Sequence, residues 1–202
     1  MTEMADRQPE ISELKAREPA ATQSLDRGTM ILALIGNLFV NWSNNESLLV
    51  YLIDLFMDGG RAYSEAGAFD DEPSPSAVIV FSTLNTTRAR IDLIRRLSRF
   101  NITDPHLQSE LDRLLGRFEA TTRIRNEFNH AMYLVDDASG QLTHTQSTRI
   151  VQQGGKIKFG AKKKIDQARI RTLKKTIQEM CDLNRDIRDL LSHLGPYLAS
   201  KG

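Results

Sequence analysis

The chain has 202 residues, 27 Lys+Arg against 26 Asp+Glu, and one Cys. That length suits one domain, or one domain with tails, and a lone Cys excludes a disulfide framework and a multi-cysteine zinc site. The net charge of +1 hides an asymmetry: residues 1–76 carry 5 basic and 13 acidic side chains, residues 77–202 carry 22 and 13, so two differently charged surfaces are expected.

Residues 1–26 are polar, contain Pro9 and Pro19, and read as a disordered tail. The start, MTEMADRQPE, is too polar for a secretory leader. No apolar run reaches the roughly 18 residues of a membrane helix. A cytoplasmic protein with no membrane contact is the expectation. Asp26 is a fitting N-cap for the first helix. From Met30, apolar residues fall at helical spacing: Ile31, Ile35, Leu38, Trp42, Leu49, Ile53 and Phe56. They predict one long amphipathic helix, bent near Asn44-Asn45. Residues 58–76 hold Gly59-Gly60, an acidic run, Pro73 and Pro75, and read as a linker loop.

A second helix is predicted from about Ser76 to Phe100, with Val80, Leu84, Ile91, Ile94 and Leu97 inward. Asp104-Pro105 marks the next start, Asp104 as N-cap and Pro105 at the first helical position. That third helix is predicted to run to about Val135, with Leu107, Leu111, Leu114, Phe118, Phe128 and Met132 in its stripe. Gly140, Gly154-Gly155 and Gly160 punctuate short alternating stretches over 137–163, which predict an inserted β-hairpin. A last helix is expected from about Lys164 to Leu194. It carries Leu173, Ile177, Met180, Ile187, Leu191 and Leu194, with polar Asn184 inside the stripe and Gly195-Pro196 as its stop. The expected fold is all-α: an up-and-down four-helix bundle over 27–198, with a β-hairpin between the third and fourth helices.

The chemistry begins where the stripes fail. Advancing about 100° per residue places Arg125 and Asn129 on the apolar face that carries Leu111 and Phe118. A cation there needs a partner, a wet cleft or a function. Glu46, between Trp42 and Leu49, offers a partner. Arg88, four residues after Leu84, occupies an inner-edge position on the second helix. Together they could make a polar network. Asn126 and His130 are four apart and share a helix edge. Imidazole moves protons near neutral pH, guanidinium holds a phosphate and its developing charge, and an amide orients either. This set suits phosphodiester chemistry without a metal.

Arg125-Asn126-x-x-x-His130 on the third helix of a helical bundle resembles the R-polar-x-x-x-H motif of the HEPN superfamily. Members with an intact motif are typically metal-independent endoribonucleases. They are typically homodimers whose motif residues line one shared cleft. The resemblance implies that an RNA 2′-hydroxyl attacks the adjacent phosphorus, with His130 as general base or acid. Arg125 would bind the scissile phosphate, and Asn126 would position either. It also implies a toxin–antitoxin or phage-defence role, an antitoxin or other protein partner, and no cofactor. The six-residue motif recurs at Arg188–His193, where Ile187, Leu191 and Leu194 form an unbroken stripe and the Arg and His flank it as exposed residues.

Lys156, Lys158, Lys162, Lys163 and Lys164 cluster on the hairpin and the start of the last helix, where they could track an RNA backbone. Phe159 among them could stack on a base. Lysines can equally guard a sheet edge. His106 and His144 have no nearby ligand set, so no metal site is expected. Cys181 reads as a small residue near the core. Two other readings compete with a ribonuclease. One is a non-catalytic HEPN-like dimer that binds RNA, a nucleotide or a protein. The other is a helical adaptor in which Arg125 and Glu46 form a structural ion pair.

Overall fold

The computed structural model describes residues 27–60, 72–138 and 140–201. The tail 1–26, the cap expected at Asp26 and residues 61–71 of the expected linker lie outside the described residues. The elements in chain order are α1 (Arg27–Asp58), α2 (Pro75–Thr83), α3 (Thr87–Asn101), α4 (Pro105–Asn129), β1 (Ala131–Val135), β2 (Leu142–Ser147), β3 (Ile150–Gln153), β4 (Lys156–Phe159), β5 (Lys162–Lys164) and α5 (Gln167–Ala199). The molecule is mostly helical, with small antiparallel sheets toward its C-terminal side. Among the described residues, no helix is long and apolar enough to cross a membrane.

Every residue of the stripe expected on α1 is buried, from Ile31 to Phe56. The helix runs unbroken through Asn44-Asn45. Asn45 is fully buried, and pairing offsets the cost of its burial. Its Nδ2 donates to the Met180 carbonyl at 2.9 Å, and its Oδ1 accepts from Asn184 Nδ2 at 2.8 Å. The polar interruption in the α5 stripe is thus one half of a satisfied pair between α1 and α5.

The second helix differs from its expectation. It is two helices, α2 and α3, broken at Leu84–Thr86. The hydroxyls of Ser82 and Thr83 donate to the Ile79 and Val80 carbonyls. Leu84 is extended, and the Thr86 side chain caps α3 by accepting from the Ala89 N–H at 3.1 Å. A run of hydroxyl and amide side chains offers the backbone local partners, and that outweighs the apolar period.

The break changes the topology. Asp54 of α1 bonds Ser74 at the start of α2, while Glu46 bonds Thr87 at the start of α3. So α2 descends along α1 and α3 rises again. Arg95 of α3 meets Glu119 of α4, and Ser98 meets Gln108, so these two run antiparallel. In α4 and α5, Arg117 meets Glu179 and Arg169 meets Glu127, again antiparallel. Arg27 donates to the Ile165 carbonyl just before α5, Asn45 meets Met180, and Gly60 abuts Gly195. The first and last helices therefore run parallel, side by side along most of their lengths.

α4 starts where the sequence says: the Asp104 carboxylate accepts from the His106 N–H at 2.8 Å, ahead of Pro105. It ends earlier than expected, at Asn129, with His130 as C-cap. Met132 continues the helical spacing of Phe128, yet it belongs to β1. The β-rich run Met-Tyr-Leu-Val pairs with β2 instead. The 137–163 region holds more than one hairpin. β1, β2 and β5 form a three-stranded antiparallel sheet with β2 central, and β3 and β4 form a separate two-stranded ribbon. Gly195-Pro196 does not stop α5, which continues to Ala199. Pro196 removes one N–H from the ladder, but only three helical residues follow it.

Candidate nucleic-acid cleft

The end of α4, the start of α3, the start of α5 and one face of the sheet enclose a cleft of about 590 Å³. Antiparallel pairing puts Ala131 opposite Ser147 and Tyr133 opposite Thr145, which in turn faces Lys163, so these share a sheet face. Ala131, Thr145, Ser147 and Lys163 all line the cleft. From the helices come Thr87, Arg88, Glu119, Thr122, Arg123, Asn126, Glu127 and Arg169, joined by His130 at the α4 C-cap.

Five cations line this space, Arg88, Arg123, Arg149, Lys163 and Arg169, against two carboxylates, Glu119 and Glu127. Both carboxylates are engaged. Glu119 receives a two-pronged contact from Arg95 at 3.2 and 3.0 Å. Glu127 lies 3.0 Å from Lys163 Nζ and 2.6 Å from Arg169 Nη2. Arg123 and Arg149 form no ion pair among the described residues. Arg169 sits over the Phe128 ring at 4.9 Å, and its buried Nε has no hydrogen-bond acceptor. The cleft is electropositive and has donors to spare.

Of the motif, Asn126 and His130 line the cleft, and Arg125 does not. Arg125 turns toward α1. Its guanidinium stacks 4.0 Å over the Trp42 ring and 5.4 Å from Phe39, and its buried Nε lacks an acceptor. Burial pulls this guanidinium below its ordinary range, while the Glu46 carboxylate nearby pulls it up. Arg125 Nη1 donates to Asn126 Oδ1 at 2.9 Å. That bond occupies the amide oxygen and leaves the amide nitrogen as the donor available to a ligand. Trp42 is itself held by its Nε1 bond to Thr122 Oγ1 at 2.9 Å and by stacking on Phe118.

Glu46 has a different hydrogen-bonded partner from the one expected. It pairs with Arg90 Nη1 at 2.8 Å and accepts from Thr87 Oγ1 at 2.7 Å. Arg90 stacks on Phe81 at 3.9 Å. Arg88, expected at the inner edge, is 86% exposed at the cleft rim, with Asp92 at 3.9 Å. Breaking the second helix re-phased the wheel by which Arg88 was placed inward. Asn129, expected in the stripe, is exposed in the last turn of α4. His130 is exposed, and its carbonyl accepts from the Thr148 N–H at 3.1 Å and hydroxyl at 2.9 Å.

The hairpin lysines divide. Val151 lines the cleft and shares a ribbon face with Lys158, the face that by register also carries Lys156. Phe159 pairs with Ile150 on the other face, away from the cleft. On β5, Lys163 points into the cleft, so Lys162 and Lys164 turn to the far side of the sheet. His106 and His144 stay apart, His144 Nδ1 lying 3.0 Å from Thr143 Oγ1. Among the described residues, no three His, Cys, Asp or Glu side chains are grouped as a metal site needs. Cys181, expected near the core, is exposed, with its Sγ 3.2 Å from Asn41 Oδ1. Arg188 and His193 are exposed, as expected of the decoy motif.

Sequence reading missed Arg123, Arg149 and Arg169. Arg169 could have been found, since it stands four residues before Leu173 and extends the α5 stripe with a charge. Arg149 lies between two strands of different sheets and carries no periodic signal.

The chain matches no protein-family model, no curated protein and no solved structure.

Proposed function

We propose that the cleft is the active site of a metal-independent endoribonuclease of the HEPN kind, on a helical bundle elaborated by the β insertion. One observation carries this reading: Asn126 and His130 of the motif line a cleft with five cations and two already engaged carboxylates. A polyphosphate chain fits that charge, and an imidazole stands at its wall.

In this mechanism the 2′-hydroxyl attacks the adjacent phosphorus and the P–O5′ bond breaks. The products are a 2′,3′-cyclic phosphate and a 5′-hydroxyl. His130 takes the 2′ proton or delivers one to the leaving oxygen. Asn126 donates from its amide nitrogen to a phosphate oxygen. Arg123 and Arg149, unpaired at the wall, meet the charge that grows on phosphorus-bound oxygen. Arg125 acts one step back. It fixes the Asn126 amide and is a positioning residue rather than a phosphate ligand. DNA lacks the attacking hydroxyl and is not cut by this route. One His per cleft supplies one proton carrier, so a homodimer that brings two clefts together completes the acid–base pair. A protein antitoxin would act by covering the cleft.

The test is cleavage of a mixed structured RNA in EDTA. His130→Ala is expected to lower the rate about 10²–10⁴-fold. Asn126→Ala and Arg125→Ala should each lower it roughly 10²-fold, by misplacing the reacting groups. His193→Ala should cut like wild type. Each variant is checked for folding by circular dichroism. Wild type that binds RNA but leaves it intact would favour the non-catalytic binder.

A further inference from the structure

Residues 156–175 carry nine Lys or Arg and a single acid, Asp166. Asp166 is engaged as the N-cap of α5, accepting from the Arg169 N–H at 2.9 Å. Two of the nine, Lys163 and Arg169, belong to the cleft. Two more lie on the cleft side of the ribbon. The remaining five lie on two elements, β5 and α5, each on the side opposite its own cleft residue.

On β5, alternation turns Lys162 and Lys164 away from the cleft that Lys163 faces. On α5, Arg169 marks the cleft side. Arg171, Lys174 and Lys175 lie roughly 200°, 140° and 240° around the helix from it, which is the opposite side. All five are exposed, and none forms an ion pair among the described residues. The acid best placed to neutralise Lys175 is Glu179, four residues on, but Arg117 of α4 holds it at 2.6 Å. The corresponding position for Lys174 is Gln178. Edge protection accounts for lysines on β5. It does not account for Arg171, Lys174 and Lys175, which stand on a helix and not on a sheet edge.

β5 is the outer strand of its sheet. A polyanion leaving the cleft past Lys163 meets that edge and its lysines, Lys162 and Lys164, and the α5 cations follow them in the chain, since β5 ends at Lys164 and α5 begins at Gln167. We propose that this far side is a phosphate track. It holds the stretch of RNA flanking the bond in the cleft, so the substrate is a polynucleotide gripped over several phosphates and not a mono- or dinucleotide. This rests on the RNA reading of the cleft. A lipid surface fits less well, because an interfacial helix needs an apolar face toward the membrane, and the neighbouring exposed positions Thr172 and Gln178 are polar.

The probe is 2′-O-methyl RNA, which cannot be cleaved by 2′-hydroxyl attack. A strand of about twenty nucleotides and one of about four are compared, against a typical site of roughly 4–16 nucleotides. Binding is read by fluorescence anisotropy over a salt series. Wild type should bind the long strand more tightly. The triple variant Arg171→Ala/Lys174→Ala/Lys175→Ala should lose about tenfold or more in affinity for it. Its log–log salt slope should fall by about two, since each single-strand phosphate contact contributes roughly 0.7. Its affinity for the short strand should not change. Lys162→Ala/Lys164→Ala should act in the same direction. Equal wild-type affinity for both strands, an unchanged triple variant, or a loss seen only on vesicles rich in phosphatidylserine would overturn the track. The two readings fail separately. RNA cutting with an unaltered salt slope sinks the track alone. Long-strand binding that depends on these residues, in a protein that cuts nothing, supports the track and sinks the ribonuclease.

Discussion

Tyr197 fastens the end of α5 to the start of α4 through one oxygen. That oxygen accepts from the Thr103 N–H at 2.9 Å and the Asp104 N–H at 3.1 Å. Lys201 Nζ lies 4.3 Å from the ring and donates to Thr103 Oγ1 at 2.7 Å. The Lys201 ammonium, then the Thr103 hydroxyl and the backbone donors, pull the phenol down to about 8. An ordinary tyrosine titrates near 10. The fold therefore favours the phenolate. Its stabilising contribution is absent below about pH 8, grows as the pH rises, and is complete above about 10. Absorbance at the phenolate band should show one tyrosine titrating near pH 8, lost in Tyr197→Phe and raised in Lys201→Ala. Tyrosines that all titrate near 10 would refute it. Nothing in the sequence announced this contact, because it joins residues far apart in the chain. Arg125 was different. Its place inside a stripe was legible from spacing, as was the need for compensation. Which compensation was not: the Trp42 ring takes the role assigned to Glu46, and a ring offers no charge pattern to read.

Helix boundaries show the same division at a larger scale. Burial periods predicted α1, the body of α4 and the body of α5, because a long amphipathic stripe is a signal averaged over many residues. The break at Leu84–Thr86 and the switch at His130 were missed because each is decided by three or four residues against that average. The consequence reaches well beyond those residues. Splitting one helix into two reverses the direction of everything after it, and so brings α1 and α5 parallel. That pairing needs a close approach at its far end. A Cβ on Gly60 would fall 2.8 Å from both the Ala199 nitrogen and the Gly195 oxygen, and its φ is +81°. Gly59, at φ +64°, has open space around it. Gly60→Ala must therefore move backbone as well as strain it, and should cost about 2 kcal/mol or more. Gly59→Ala should cost about 1 kcal/mol, the left-handed penalty alone. Urea midpoints of the two variants would check this. Equal losses would mean that the α1 and α5 ends do not meet as described.

At the scale of the whole molecule, the proposed ribonuclease raises the question of how many chains make one active site. Cyclising cleavage needs a proton removed from the 2′ oxygen and one delivered to the 5′ oxygen. His130 is the one imidazole lining the cleft among the described residues. The two cleft carboxylates are already ion-paired, Glu119 with Arg95 and Glu127 with Lys163 and Arg169. In the proposed mechanism a second cleft, brought up by a second copy, would supply the missing group. His130 is exposed and sits at the end of α4, where another chain can approach it. Sedimentation should then give a particle of twice the 22.8 kDa chain at working concentration. Specific activity should stay flat while the dimer persists and fall on dilution in proportion to the dimer fraction. Under the proposed mechanism mass and activity fall together, because the acid–base pair would form only in the dimer. If the mass drops to one chain while each chain keeps its full rate, His130 works alone. The proton for the leaving oxygen must then come from water or from one of the cleft cations.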